Sequence, residues 1–273
     1  MSELPADILS RLGPAPEDLT RLGSSKVLRG NGLVAKFGPQ ERLAREAFLF
    51  GEVRALLPVE VPVLVAHGTG WILMEAAGGE VASADDVAPL ARLAPVHELF
   101  EGSTGIDHPR FRDVFGRERE GLLAEARGGA PAGLPEPLAS LLADPSPLTA
   151  IVEAEHRTLV HGDAWHGNVL LRGPGDYVWL DWEEAGAGPA AFDVAMWLYG
   201  SPWAPGTVSP EGDLAAYLSA RSTPEDPRAF KRAVDAAAVL AFLLLDLANL
   251  GEGERGLTER IVERRNGLAR DLL

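Results

Sequence analysis

The sequence has 273 residues, enough for one large domain or two modest ones around a substantial core. Its formal net charge of −15 excludes the basic surface that nucleic acids and anionic membranes require. It contains no cysteine, so disulfides, thiolate catalysis and cysteine–zinc sites are excluded. The first residues lack the apolar segment of a secretory signal, and the longest apolar run, Ala236–Leu245, is about half of the roughly 20 residues in a membrane span. We therefore expect a cytoplasmic protein that binds neither nucleic acid nor membrane.

The first part of the chain has the pattern of an antiparallel sheet with one helix. Two strands, Lys26–Arg29 and Leu33–Phe37, flank an Asn-Gly turn, which supplies the positive φ of a tight hairpin. Lys36 then lies on one face of the second strand. Residues 40–57 have apolar residues at helical spacing, and Glu46 falls within the apolar stripe. A carboxylate on a core-facing stripe needs a cationic partner, although Glu46 could also form an ordinary helix contact with Arg42.

The remainder of the chain is mostly helical in pattern. Two more strands are expected within residues 61–79, around a Gly-Thr-Gly turn, and the small residues that follow them mark a lobe boundary. We expect an N-lobe over residues 1–78 and a C-lobe over residues 79–273. The C-lobe elements expected are helices at 86–100, 111–126, 135–143 and from about 211 onwards, a strand at 176–182 and a loop at 128–137.

Three fragments carry polar residues in a fixed order. Lys36 and Glu46 come first, "HGDAWHGN" from His161 to Asn168 follows, and "LDWE" contains Asp181. This order resembles the aminoglycoside phosphotransferase family, whose pattern is H-G-D-x-x-x-G-N, then [IL]-D-[FW]-[ED], then an aspartate in P-x-x-x-D-x-A. The resemblance covers residues 36–197. It implies an α+β, bilobal, protein-kinase-like fold, with a small antiparallel-sheet N-lobe carrying one helix and a larger, mainly helical C-lobe.

The resemblance also implies the chemistry, which is transfer of the γ-phosphate of ATP or GTP to a substrate hydroxyl. The transition state is loose and its charge is spread, so catalysis depends on positioning and on cations. Asp163 would accept or orient the hydroxyl proton. Asn168 and Asp181 offer the hard oxygen ligands that Mg²⁺ prefers. Lys36 would hold the α- and β-phosphates and Glu46 would fix Lys36.

Six further residues are implied to have nucleotide-binding or supporting roles. The backbone of Glu75 and Ala76 follows the second strand pair, where the hinge of this family binds adenine. Ser24 and Ser25 precede the first strand, where kinases carry a glycine-rich loop, but one glycine stands here instead of three. His161 and Asp193 would support the catalytic loop, which is the segment from His161 to Asn168. Asp193 alone also fits a helix cap.

The acceptor is the part of the function that the sequence identifies least. Trp165 and His166 depart from the family's usual H-G-D-L-H-P-G-N, and they lie next to Asp163. They are candidates for acceptor contacts together with Glu183 and Glu184; packing is the alternative role of the tryptophan, and a solvated acidic pair that of the glutamates. An aminoglycoside is the first candidate acceptor, and amino alcohols, ketosamines, sugars and macrolides are the others. A cationic acceptor could also face acidic residues of the C-terminal part, which are Glu211, Asp213, Asp235 and Asp246.

Two functions of other classes also fit parts of the pattern. A metal-dependent hydrolase could use His161, Asp163 and His166 as ligands, since these types and spacings can bind zinc. That alternative leaves Lys36, Glu46 and Asn168 without a role. A non-catalytic nucleotide-binding module is the second alternative, and the presence of the full set of expected catalytic residues disfavours it.

Overall fold

The architecture is described from a computed structural model of the chain. It describes residues 4–20, 25–86, 88–102, 112–113, 119–131, 133–201, 204–223, 225–247, 250 and 255–273. The α-helices in these ranges are Ala6–Leu12 (α1), Gln40–Phe48 (α2), Ala88–Leu99 (α3), Arg119–Gly129 (α4), Glu136–Ala143 (α5), Ser146–Glu153 (α6), Ala190–Tyr199 (α7), Pro210–Ala220 (α8), Pro227–Ala241 (α9) and Arg255–Leu272 (α10).

The strands are mostly short. They are Glu17–Asp18 (β1), Lys26–Gly30 (β2), Leu33–Phe37 (β3), Leu64–Gly68 (β4), Trp71–Glu75 (β5), Glu80–Val81 (β6), Arg112–Asp113 (β7), Arg157–Val160 (β8), Val169–Gly173 (β9), Asp176–Trp179 (β10), Gly186–Pro189 (β11), Gly200–Ser201 (β12) and Ala204–Pro205 (β13). Among the described residues, strands and helices form an α+β arrangement with a strand-rich N-terminal part and a mainly helical remainder, as the resemblance implies.

The N-terminal sheet has the order β1-β2-β3-β5-β4, with every neighbouring pair antiparallel. The predicted hairpin is confirmed, because Asn31 and Gly32 take positive φ values of 49° and 73° between β2 and β3. Alternation along β3 separates the two faces of this sheet. Ala35 is buried on the side that packs on α1, whereas Lys36 points towards α2.

The helix predicted at 40–57 is present but changes its winding. After α2, residues Leu49–Val53 form a π-helical turn and Arg54–Leu56 form a 3₁₀ turn. Leu43, Ala47 and Phe50 from this segment join the main hydrophobic core. The apolar stripe of α2 therefore faces the rest of the molecule, and Glu46 lies on that buried side.

The C-terminal part has its own small sheets and a helical core. Strand β6 pairs with β9 and β9 pairs with β10, while β11 lies between β7 and β8. Helices α3 and α8 pack together, as do α7 and α9. A parallel bridge between Glu60 and Val178 joins the two parts, and Arg172 reinforces it by an ion pair with Glu60. We propose to keep the lobe division at residue 78, because β1 to β5 form one sheet and β6 begins the next.

Three expected element boundaries are wrong. The helix predicted at 111–126 begins only at Arg119, because residues 112–113 pair in parallel with β11 and this tertiary pairing overrides the helical spacing. The loop predicted at 128–137 is shorter, since α4 runs to Gly129 and α5 begins at Glu136. The strand predicted at 176–182 ends at Trp179, because Asp181 has left-handed backbone geometry that a strand cannot contain. Among the described residues, no helix is long and apolar enough to cross a membrane.

The close approach of α1 to β2 gives a stability prediction. A Cβ added at Gly30 would lie 2.0 Å from the carbonyl oxygen of Leu12, so Gly30→Ala must move α1 or the strand. We expect a loss of about 1–3 kcal/mol in the free energy of unfolding, measured by urea denaturation. Gly173→Ala is the matched control, because nothing lies within 4 Å of the added Cβ. Equal stabilities of the two variants would contradict this packing.

Candidate active site

A buried ion cluster centres on Lys36. Its ammonium lies 3.0 Å from Glu46, 2.5 Å from Asp181 and 2.7 Å from Glu183. The side chains of Lys36 and Glu46 are 6% and 1% exposed, whereas that of Asp181 is 41% exposed. The structure therefore brings together two of the three predicted fragments. The basic partner expected for Glu46 is Lys36, and Arg42 instead contacts Glu183 and Glu184.

The carboxylate of Glu46 also holds the segment after β10. Its Oε1 accepts a hydrogen bond of 3.2 Å from the backbone N–H of Trp182, while its Oε2 contacts Lys36. Arg45, one residue earlier on α2, donates to the backbone carbonyl of Glu183. Helix α2 is thus joined to the Asp181-Trp182-Glu183 turn through side-chain–backbone bonds, in addition to the lysine.

The charges in this cluster perturb one another strongly. Burial alone would lower the pKa of Lys36, but the three carboxylates around it outweigh burial and raise that pKa above its ordinary value. Burial raises the pKa of Glu46, and Lys36 opposes that shift. Lys36 is therefore a permanently charged cation at any pH at which the protein would operate.

Asp181 owes its position to an unusual backbone conformation. Its φ and ψ of 59° and 56° are left-handed, which ends β10 and turns the chain into the short helix Trp182–Glu184. The indole of Trp182 is fully buried, donates to the carbonyl of Trp179 and packs on the His161 ring at 4.5 Å between centroids. Burial of this tryptophan beneath the turn holds the Asp181 carboxylate on the exposed side.

Asp163 and Asn168 form one hydrogen-bonded unit. The amide nitrogen Nδ2 of Asn168 donates to the Asp163 side chain at 2.8 Å and to its carbonyl at 2.9 Å. With its nitrogen used in this way, Asn168 has its amide oxygen left to bind a cation. The N–H of Leu180 donates to the carbonyl of Asn168 at 2.8 Å, which sets Asp181 beside this unit.

The surroundings of Asp163 favour its protonated form more than water does. Burial raises the pKa of Asp163 to about 7; the charge of Asp181 adds to the rise and the hydrogen bond from Asn168 opposes it. A carboxylate with a pKa near neutrality is suited to accept a proton in a reaction near pH 7.

His161 lies beneath the loop and uses both ring nitrogens there. Its Nε2 faces the carbonyl of Leu180 at 2.8 Å, and its Nδ1 accepts from the N–H of Asp163 at 3.2 Å. Because a carbonyl can only accept, the proton lies on Nε2. Burial lowers the pKa of His161, consistent with a neutral ring. The hydrolase alternative is therefore not supported, since His161 has no nitrogen left for a metal.

Asp193 fixes the backbone directly before Asp163. It is fully buried on α7, and it accepts hydrogen bonds from the N–H of His161 at 2.6 Å and of Gly162 at 2.9 Å. Gly162 has a φ of +84°, and a Cβ there would lie 2.2 Å from the carbonyl oxygen of Glu184. Only glycine fits this position, which explains its place in the motif.

The predicted phosphate-contacting loop is described only in part, because Ser24 lies outside the described residues. The hydroxyl of Ser25 donates to Glu183 at 3.0 Å. Glu183 thus links Ser25 to Lys36, a contact that the sequence did not predict. Glu184 pairs with Arg42 at 2.7 Å. The two glutamates therefore form ion pairs and are not a solvated acidic pair.

The expected hinge backbone lies at the end of β5. The N–H of Glu75 donates to Val63 at 2.9 Å, and the N–H of Ala76 donates to Gly32 at 2.8 Å. Both amides are therefore already hydrogen-bonded within the protein. Glu75 is exposed and Ala76 is partly buried. Adenine binding by this backbone stays a prediction.

Trp165 and His166 form a packed aromatic unit beside Asp163. The Trp165 ring lies directly over Gly167, where a Cβ would meet it at 2.1 Å. The His166 ring makes edge contacts with Trp165 and with the buried Trp197, at 5.2 and 6.5 Å between centroids. Burial lowers the pKa of His166, so this ring is neutral near pH 7. Both rings are partly exposed, in keeping with acceptor contacts as well as with packing.

The geometry of these residues agrees with one family. A model of a phosphotransferase enzyme family, abbreviated APH, matches residues 23–232. The chain belongs to this phosphotransferase family. The resemblance inferred from the motifs is thereby confirmed, and with it a phosphotransferase that acts on hydroxyl groups. No curated protein matches the sequence significantly.

Solved structures resemble this phosphotransferase over nearly its whole length. A choline kinase from Cryptosporidium parvum Iowa II has a TM-score of 0.66 at 13% identity, covering 94% of this chain and 88% of its own. The aminoglycoside phosphotransferase APH(2")-IIa, in a ternary complex with streptomycin and ATP, has a TM-score of 0.60 at 16% identity and coverages of 89% and 90%. The macrolide 2'-phosphotransferase MphH from Brachybacterium faecium has a TM-score of 0.59 at 21% identity, covering 95% of this chain and 96% of its own. These likenesses confirm the kinase-like fold and leave the substrate class open.

The double role of Glu46 gives a prediction for nucleotide binding. Glu46→Gln removes the charge that holds Lys36 and weakens the contact to Trp182, at a cost of about 1.5–3 kcal/mol for a hydrogen bond to a charged group. We expect nucleotide affinity to fall about 10- to 100-fold, measured by calorimetry. Glu41→Gln, on the exposed side of the same helix, is the control and should change nothing. Unchanged affinity in the Glu46 variant would contradict the role of Glu46 in fixing Lys36 for the nucleotide.

Proposed function

We propose that this protein transfers the γ-phosphate of a magnesium-bound nucleoside triphosphate, ATP or GTP, to a hydroxyl of a small molecule. The observation that carries the proposal is the placement of Asp163, bonded to Asn168, beside Asp181, bonded to Lys36. The first pair offers a base for a hydroxyl proton. The second offers a cation and an exposed carboxylate for phosphates and their counter-ion.

The donor set fits a magnesium ion. The amide oxygen of Asn168 and the carboxylate of Asp181 are hard oxygen ligands from adjacent segments, and Asp181 is exposed enough to keep water on the ion. The ion would neutralise charge on the phosphates. Lys36 would then exchange a carboxylate partner for a phosphate oxygen, because its ammonium already lies at the junction of both lobes.

The reaction proposed for Asp163 is proton acceptance during in-line displacement. The acceptor hydroxyl oxygen forms a bond to the γ-phosphorus while the bond from phosphorus to the bridging oxygen breaks, and a nucleoside diphosphate leaves. The hydroxyl proton passes to the Asp163 carboxylate. Asn168 and the His161 ring keep that carboxylate in place through the contacts to its side chain and backbone.

An aminoglycoside remains the first candidate acceptor, and a macrolide, an amino alcohol, a ketosamine or a sugar are the alternatives. The proposal is supported by the aminoglycoside, macrolide and choline kinases among structures of the same fold. The acids expected to face a cation give weaker support. Asp213 is buried against Trp197, and Asp235 is bonded to Lys231. A nucleotide-dependent reaction also agrees with the cytoplasmic location expected from the sequence.

The proposal is tested by measuring release of the nucleoside diphosphate, ADP or GDP, across a panel of acceptors. The panel contains aminoglycosides, macrolides, choline-like alcohols, homoserine and ketosamines, each with ATP or GTP and Mg²⁺. We expect one class to stimulate release, and Asp163→Asn to reduce turnover roughly 10²–10⁴-fold with nucleotide affinity retained, since a positioned base contributes about that much. Full turnover in Asp163→Asn would remove Asp163 from the role of base. If no acceptor stimulates release, the proposed acceptor classes are wrong.

The ionisation of Asp163 predicts the pH dependence of the reaction. The protonated carboxyl cannot accept a proton, and burial raises the pKa of Asp163 to about 7 in the free protein. We therefore expect kcat/KM for the acceptor to rise tenfold per pH unit below about pH 7 and to level off above it. The measurement is a rate profile between about pH 5.5 and pH 8.5, for an acceptor without a group that titrates there. A flat profile would contradict the assignment.

A further inference from the structure

A line of buried polar side chains runs from the catalytic loop into the helices beneath it. Asp193 accepts the two loop N–H groups described above, and one of its oxygens, Oδ2, also contacts Nε2 of His97 at 3.1 Å. The other ring nitrogen of His97, Nδ1, lies 2.7 Å from the hydroxyl of Tyr217. Asp193, His97 and Tyr217 are all 0% exposed. Three helices, α7, α3 and α8, each contribute one of these residues.

The direction of each hydrogen bond in this line follows from its neighbours. The Asp193 carboxylate can only accept, so the proton of His97 lies on Nε2. Burial raises the pKa of Tyr217, which therefore keeps its proton, and it can donate to Nδ1 of His97. At the far end, Nη1 of Arg221 lies 3.5 Å from the Tyr217 oxygen and can only donate to it. Donation thus runs in one direction from Arg221 through Tyr217 and His97 to Asp193. The two loop N–H groups donate to the same carboxylate from the other side.

Arg221 is itself held by acidic side chains at and just beyond the C-terminal ends of α3 and α8. It contacts Glu98 at 3.4 Å, Glu101 at 2.8 Å and Glu225 at 3.6 Å, and its own side chain is 6% exposed. Glu98 also accepts from Ser222 at 2.6 Å, which fixes the end of α8 against α3. The arginine therefore has a fixed place from which to orient the tyrosine hydroxyl.

We propose that Tyr217 is a positioning residue for the phosphoryl transfer, whose hydroxyl fixes His97 and, through Asp193, the loop that carries Asp163. The inference rests on the proposed function, since it concerns the placement of the base. The aromatic ring of Tyr217 contributes separately to packing, because it stacks on Phe230 with 5.5 Å between centroids and 6° between planes. Removing the oxygen alone therefore tests the hydrogen bond while the packing remains.

Tyr217→Phe is the main test, with Tyr177→Phe as the matched control. Tyr177 is also buried and its hydroxyl also donates to an acid, Asp86, but neither residue contacts the loop. We expect Tyr217→Phe to lower kcat about 10-fold and to leave the KM for nucleotide within about twofold, because misplacement of a base affects the chemical step. Tyr177→Phe should change neither value.

A second measurement needs no substrate, so it separates this inference from the proposed reaction. The amides of His161 and Gly162 are bonded to Asp193, and their hydrogen exchange reports how firmly the loop is held. We expect exchange at these two amides to be about 10-fold faster in Tyr217→Phe, and unchanged in Tyr177→Phe. If turnover is absent from the wild type, the proposed reaction fails, and exchange alone then decides the link between Tyr217 and the loop.

Two results would overturn the inference. One is a Tyr217→Phe protein whose exchange at these amides equals that of the control. The other is a fall in kcat matched by an equal rise in nucleotide KM, which indicates a general loss of structure. If Tyr217→Phe does not fold, Arg221→Lys carries the test, since it keeps the charge among the glutamates and removes the planar group near the hydroxyl. At least a twofold change in the same two measurements is then expected, and no change rejects the inference.

Discussion

The buried contact between Lys36 and Glu46 determines the geometry of the rest of the site. A buried charge costs several kcal/mol unless it is paired and hydrogen-bonded, so strand β3 and helix α2 cannot shift independently. Glu46 extends this constraint to the C-terminal part through the Trp182 amide. Besides Glu46, the Lys36 ammonium contacts Asp181 and Glu183. The phosphates of a nucleotide would have to replace these two contacts.

The two halves of the site are held by different kinds of interaction. Around Lys36, ion pairs connect side chains, and in the proposed reaction these pairs would be exchanged for phosphate or metal. Around Asp163, hydrogen bonds to the main chain fix the loop, through Asp193 from below and Asn168 from the side. A site that transfers phosphate needs exchangeable charge where the nucleotide enters and a fixed base where the hydroxyl reacts.

Local chemistry made part of this arrangement predictable. The β2–β3 hairpin follows from the Asn-Gly turn, and a partner for Glu46 follows from a carboxylate on an apolar stripe. The contact between Lys36 and Glu183 joins residues far apart in the chain and has no local signal. The short strand at 112–113 and helix α1 were missed for the same reason, since each is stabilised by a neighbour that only the folded chain supplies. Tyr217 could be connected with the loop only once α3 and α8 were placed.

The departure from the family pattern beside Asp163 is a structural unit. The Trp165 ring packs on Gly167, where a side chain would not fit, and the His166 ring makes edge contacts with Trp165 and Trp197. A single substitution therefore cannot restore the family's usual sequence at these positions. The glutamates nearby are already engaged, Glu183 with Lys36 and Glu184 with Arg42. If the proposed function holds, the partly exposed aromatic rings are therefore better placed than these paired acids to distinguish acceptors. An aromatic face can bind an apolar ring or a cation, and it selects by shape and by the position of the hydroxyl.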